Sequence, residues 1–272
     1  MSLSATLPIG LFDSGVGGLT VFKAVSELLP NETLLYLGDT ARVPYGVKSK
    51  DTIIKYTLGA AKKLMEQNIK ILVVACNTAT SAALPILREY LAPMPVIGVI
   101  EPGAEAAVRA SENNRIAVIG TEATIRDQAY QKAIARLNPD AEVVGRACTL
   151  FVPLAEEGWT SGQITEQICE RYLGDIFSSE NPPDTLLLGC THFPLLIPAL
   201  RKVAGENTRI VDSATAAAAR VKDALVALGL LANAKIGPDR FYTTDNPERF
   251  VRTGKLFLDE RLDSTELVDI LY

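Results

Sequence analysis

Four cysteines (Cys76, Cys148, Cys169 and Cys190) and a single histidine, His192, carry most of this chain's capacity for proton chemistry near neutral pH. Two of the cysteines stand in matching contexts, "LVVACNTATS" (72–81) and "LLLGCTHFPL" (186–195). In each, an apolar run ends in a small residue, a cysteine and a threonine-bearing turn. Chemistry that needs two similar acid/base groups on opposite faces of one carbon is stereoinversion by proton transfer. One thiolate removes the Cα proton and an opposing thiol delivers another to the far side. The reaction runs both ways, so the two groups must be near-equivalent, and a repeated pattern supplies that equivalence. A lone cysteine is more often a small buried hydrophobe; Cys148 and Cys169, the latter inside a helical stretch, fit that description.

Acidic and hydroxylic groups adjoin both cysteine turns in sequence or in pattern. Asp13-Ser14 follows the first strand, and Thr191-His192 follows Cys190. Asp13 is a candidate proton partner for one thiol and His192 for the other, although Asp13 has a competing use in capping the glycine turn. "DSGVGGLT" offers backbone N–H groups to an anion, but Thr20 stands where a dinucleotide fingerprint needs its last glycine. Ser14, the Tyr45-Gly46 turn, Asn77-Thr78 and Thr191 form a set of hydroxyls and amides suited to an amino acid carboxylate.

These residues have to be positioned by a scaffold. Apolar strand-like runs, "PIGLFD", "TLLYLGD", "KILVVA", "PVIGVI", "RIAVIG", "AEVVGRA", "DTLLLG", "RIVD" and "RFYTTD", alternate with segments of helical period. Continuous apolar strands between helices predict parallel sheets covered on both faces, an α/β fold. An internal repeat is visible: "IGLFDS" (9–14) aligns with "IAVIGT" (116–121), and "ILVVACNT" with "TLLLGCTH". Two pseudo-symmetric doubly wound halves follow, with a cysteine at the carboxyl edge of each sheet, where α/β proteins bind ligands. Each cysteine precedes a helix, whose amino-terminal dipole favours a thiolate.

Composition narrows the function classes. The chain has 272 residues, is 48% hydrophobic and carries a net charge of −5, which leaves no basic footprint for nucleic acid as a primary partner. No run approaches the roughly 20 uninterrupted apolar residues of a membrane span, and the start lacks a secretory pattern, so the expected location is the cytoplasm, with reduced thiols. Scattered cysteines and one histidine give no metal-ligand spacing, and no metal is expected.

Taken together, "FDSGVGGLTV", "GDTARVPYG", "ACNTAT", "GVIEPG", "FVPLAEEG", "LGCTHFPLL" and "VDSA" identify a resemblance to the glutamate racemases over nearly the whole chain. The resemblance implies cofactor-independent interconversion of L- and D-glutamate, supplying D-glutamate for peptidoglycan. It implies that Cys76 and Cys190 are the catalytic acid/bases, with Asp13 assisting Cys76 and His192 assisting Cys190. Cys76 would act on the D-enantiomer and Cys190 on the L-enantiomer. Asp13, Ser14, Tyr45, Gly46, Asn77, Thr78, Thr191 and His192 match substrate-contacting positions, and Asp39 and Glu157 match acidic residues with assisting roles. The implied fold is two α/β domains, residues 1–97 with 212–272 and residues 98–211, with the active site in the cleft between them. A homodimer is the expected assembly and glutamate the expected small-molecule partner. Two other readings stay open: an aspartate or other amino acid racemase of the same superfamily, and a non-catalytic two-lobed binding protein.

Overall fold

The computed structural model describes residues 4–270. Its contacts divide the chain into two compact units, one formed by the described residues through Val99 and from Ala214 onward, the other by Ile100–Ser213. The first unit opens with β1 (Ile9–Asp13), α1 (Leu19–Leu28), β2 (Leu34–Gly38), α2 (Lys50–Met65), β3 (Ile71–Val74), α3 (Asn77–Leu91) and β4 (Val96–Gly98). The second contains α4 (Ile100–Ala110), β5 (Arg115–Gly120), α5 (Glu122–Arg126), α6 (Ala129–Leu137), β6 (Glu142–Ala147), α7 (Phe151–Glu156), α8 (Gln163–Phe177), β7 (Thr185–Gly189), α9 (Ile197–Ala204) and β8 (Arg209–Asp212). From α10 (Ser213–Ala227) the chain returns to the first unit with β9 (Arg240–Thr243), α11 (Pro247–Leu258) and β10 (Glu266–Leu267).

Strand order is β10-β9-β2-β1-β3-β4 in the first sheet and β6-β5-β7-β8 in the second. Every pairing is parallel. The repeat read from the sequence is therefore topological. The core β2-β1-β3-β4 has the same order as β6-β5-β7-β8, and β9 and β10 extend only the first. Parallel central strands must be covered on both faces, and every residue of β1, β2, β3 and β7 is buried. In the second unit Phe151, Phe193, Leu173 and Leu200 pack on one side of the sheet's residues, and Ile100, Ala104, Tyr130 and Ile134 gather in a separate cluster. No helix among the described residues is long and apolar enough to cross a membrane.

Local chemistry sets several ends that matter for the site. Ser49 caps α2 by accepting from Thr52 N–H, and Asn246 caps α11 by accepting from Arg249 N–H, with Pro247 in the first helical position. A buried ion pair, Lys70 to Glu32 at 2.6 Å, sits beneath the start of β3. Lys70 Nζ also donates to the carbonyls of Ala5 and Leu230, while Glu32 accepts from Ala232 N–H, which ties the segment after α10 to the sheet.

Candidate active site

Each unit carries one candidate cysteine at the carboxyl edge of its sheet. In the first, β3 ends two residues before Cys76, and Cys76 is the N-cap of α3. Its sulfur accepts from Ala79 N–H at 3.4 Å and donates to Ser14 Oγ at 3.6 Å. A helix N-terminus presents unpaired N–H groups and a positive dipole end, so this is a place that stabilises a thiolate. Asn77 and Thr78 form the first turn of the same helix and are buried.

Asp13 ends β1 beside this turn and is fully buried; its Oδ2 accepts from Gly15 N–H at 2.9 Å. The glycine turn lies directly against it. A methyl group on Gly18 would stand 2.5 Å from Asp13 Cβ and 2.9 Å from the Tyr36 hydroxyl, so only glycine lets the turn fold down here. Tyr36, in β2, is buried and donates to Gly15 O at 2.8 Å. Burial first, then the charges of Asp13 and Cys76, push its phenol well above the usual tyrosine range. It is therefore a neutral strut under the turn. Sequence reading missed this tyrosine, whose only signal was its place in an apolar strand.

The loop "GDTARVPYG" forms two short 3₁₀ turns, Thr40–Arg42 and Tyr45–Val47, organised by Asp39. This buried carboxylate pairs with Arg42 at 2.7 Å and accepts from Tyr45 Oη at 2.6 Å and from Thr244 Oγ1 at 2.9 Å. Tyr45 is buried with its ring against Phe12 and Tyr56. Its phenol is thus committed to Asp39 and the interior.

In the second unit β7 ends at Gly189, and Cys190 follows directly. The expected helix does not start at once. A 3₁₀ turn, Phe193–Leu196, precedes α9, and Cys190 O accepts from Phe193 N–H at 3.2 Å. Pro194 and Pro198 lack the N–H groups that would continue α-helical bonding at this junction, which explains the difference. Cys190, Thr191 and His192 are all buried. The cysteine sulfur lies 3.9 Å from His192 Nδ1, and His192 Nε2 lies 3.2 Å from Glu156 Oε1. Burial opposes the imidazolium, but the hydrogen bonds and charges of Cys190 and Glu156 prevail and push His192 up to about 10.

The carboxylate that reaches His192 is Glu156, at the end of α7, next to Glu157, the residue that the resemblance matches to an assisting role. Glu157 is the exposed C-cap residue, and Gly158 beyond it turns the chain away at φ 73°. Nothing in two adjacent glutamates tells them apart until the end of α7 is located. Cys148 and Cys169 lie in the second unit's core; burial drives both thiols upward, Cys169 to about 12. A thiol that stays protonated in an apolar core is structural.

With this geometry in place, comparison with known proteins gives a consistent result. The Asp/Glu/Hydantoin racemase family matches residues 10–221. A glutamate racemase of Geobacter metallireducens is 48% identical over 263 residues, covering 96% of each chain. A crystal structure of glutamate racemase from Francisella tularensis in complex with D-glutamate matches with a TM-score of 0.90 at 38% identity, covering 97% of this chain and 98% of that one. An Escherichia coli glutamate racemase, solved with L-glutamate and the activator UDP-MurNAc-ala, matches with a TM-score of 0.82 at 31% identity, covering 98% of this chain and 100% of that one.

Proposed function

This chain belongs to the Asp/Glu/Hydantoin racemase family, among the glutamate racemases, and we propose on that basis that it interconverts L- and D-glutamate by a two-thiol transfer of the Cα proton. As an amino acid racemase it is an isomerase. The observation that supports this mechanism is that each unit places a cysteine just after a central strand among groups able to exchange protons: Cys76 donates to Ser14, next to the buried Asp13 in sequence, and Cys190 lies against His192, which Glu156 contacts in turn.

In the L-to-D direction the Cys190 thiolate takes the Cα proton and becomes a thiol. The electron pair left on Cα delocalises into the adjacent carboxylate, and the Cys76 thiol gives its proton to the opposite face, becoming a thiolate. The D-to-L direction is the reverse. The protein is unchanged overall once the sulfurs exchange protons with their partners. Ser14, the Tyr45-Gly46 turn, Asn77, Thr78, Thr191 and His192 bind the amino acid, and Asp39 holds the loop that presents Tyr45-Gly46. Relatives bound to D-glutamate and to L-glutamate support this substrate. The same reading makes the two units the two domains of the enzyme, working without a cofactor in the cytoplasm as a homodimer that supplies D-glutamate for peptidoglycan.

The test is racemisation of glutamate by cofactor-stripped protein in deuterated water. Deuterium must enter Cα of either enantiomer, and Cys76→Ser and Cys190→Ser must each stop turnover. Exchange confined to another amino acid, or full turnover by both variants, rules the proposal out.

A further inference from the structure

Tyr130 is one of the largest fully buried side chains, and the chemistry described so far makes no use of it. It lies in the first turn of α6, in the apolar cluster with Ile100, Ala104, Val118 and Leu187. Two glycines make room for its ring. A methyl group on Gly189, the residue before Cys190, would stand 2.9 Å from Tyr130 Cε2 and 2.8 Å from Ile119 O. A methyl group on Gly103, in α4, would stand 3.1 Å from Tyr130 Cε1 and 3.2 Å from its hydroxyl. The ring is therefore clasped between the peptide that delivers Cys190 and the helix that opens the second unit. Its hydroxyl is hydrogen-bonded to the side chain of Ser213, the unit's last residue, and Cys190 lies close enough for its charge to act on the phenol. Both ends of this unit, α4 after Val99 and Ser213 before Ala214, meet at one side chain.

We infer that Tyr130 is a positioning residue for Cys190, fixing the Gly189–Cys190 peptide to the two segments, around Gly103 and Ser213, through which the chain enters and leaves the second unit. The inference rests on the two-thiol reading above. The phenol fills the space that both glycines vacate, so the ring sets how far Gly189 and the sulfur after it stand from α4. The hydroxyl adds a directional tether that the ring alone lacks. A buried aromatic held at three points has one rotamer, and a thiol anchored to it cannot drift without breaking the tether. Proton transfer is steep in distance, so slack at this point falls on the steps Cys190 performs.

The experiment compares wild type, Tyr130→Phe, Ser213→Ala and the double variant, using ordinary and Cα-deuterated L- and D-glutamate. The equilibrium constant between enantiomers is unity, so kcat/KM must fall equally in both directions, and we expect a fall of about tenfold or more. The discriminating readout is the deuterium isotope effect on kcat/KM. When the Cys190 steps become slower, the isotope effect grows for the enantiomer Cys190 deprotonates, L-glutamate by the family resemblance, and shrinks for the other. A merely structural role lowers the active fraction and leaves both isotope effects at wild-type values. The double variant should be no worse than either single one, because all three break the same tether. Opposite shifts in the two isotope effects support the inference, whereas unchanged isotope effects in the variants overturn it. Should Tyr130→Phe fail to fold, Ser213→Ala, which removes only the tether's other hydroxyl, decides in the same way. Wild-type protein that does not racemise glutamate refutes the proposed function instead, so the two failures are told apart.

Discussion

Replacing Glu156 by Gln should move the titration of the chain's only histidine, and the size of the move can be worked from the structure. The Glu156 carboxylate stands 3.2 Å from His192 Nε2. At an effective dielectric constant of about 20, two unit charges at that separation interact by about 5 kcal/mol, an upper bound. The Glu156 side chain is 27% exposed, so water screens part of this. Glutamine keeps an oxygen that can accept from the imidazole and removes only the charge. A charge-assisted hydrogen bond contributes about 1.5–3 kcal/mol, and each pH unit corresponds to about 1.4 kcal/mol. His192, held at about 10 in the native protein, should therefore titrate roughly one to two units lower in Glu156→Gln.

One histidine in 272 residues makes the assay unambiguous, because nuclear magnetic resonance of the imidazole ring shows a single titration curve. The alkaline limb of kcat/KM for racemisation should move down with it. Stability gives an independent check whose sign follows from linkage. His192 has a folded value raised above the ordinary 6.5, so its contribution is complete below about pH 6.5 and disappears as pH rises through about 10. The unfolded-state value is common to both proteins, so the stability gap between wild type and Glu156→Gln should stay at its full width through neutral pH up to the variant's own value of about 8–9, and should close as pH rises through about 10. A wild-type histidine that titrates near 6.5, or one that Glu156→Gln leaves in place, refutes the reasoning.

Three further outcomes follow from the geometry. Lys70→Met leaves Glu32 buried without its cation, and urea denaturation should show a loss of about 3–5 kcal/mol with wild-type KM retained; an unchanged midpoint would count against the pair's structural role. Asp39→Asn removes the charge that holds Arg42 and weakens the grip on Tyr45 and Thr244, so KM for glutamate should rise about tenfold. Steady-state kinetics with KM unmoved would contradict that. Gly18→Ala drives a methyl group against Asp13 and Tyr36, and should cost about 1–3 kcal/mol in thermal unfolding together with most of the activity. Wild-type turnover in that variant would show that the turn tolerates displacement.

How far the sequence revealed all this depends on the kind of signal each feature leaves. Buried parallel strands such as "ILVV" and "TLLLG" are continuous apolar runs, so the strands and the α/β class were readable directly. Long amphipathic helices such as α2 and α8 were equally plain. Short elements left no period to read: α5 and α7 have five and six residues, and β10 has two. The cysteines were legible because the whole strand-turn context recurs around them. Tyr36 and Tyr130 were not, since each acts through a glycine that leaves space for it, and such a pairing joins positions far apart in the chain.

The repeat also explains why the surroundings of the two cysteines are not chemical copies. Aligning "IGLFDS" with "IAVIGT" sets Asp13 opposite Gly120 and Ser14 opposite Thr121. In the first unit, β1 ends in the carboxylate beside the cysteine-bearing turn. In the second, the equivalent strand end is Gly120, where a methyl group would stand 3.2 Å from Gly189 O, so a side chain meets tight backbone contact there. A carboxylate cannot be supplied from that strand without displacing the peptide that leads to Cys190. The carboxylate of the second unit comes from another element, Glu156 on α7, and contacts His192, which the sequence places two residues after the cysteine. Shared topology fixes where the sulfurs stand on their sheets, and local packing decides which polar groups stand beside each of them.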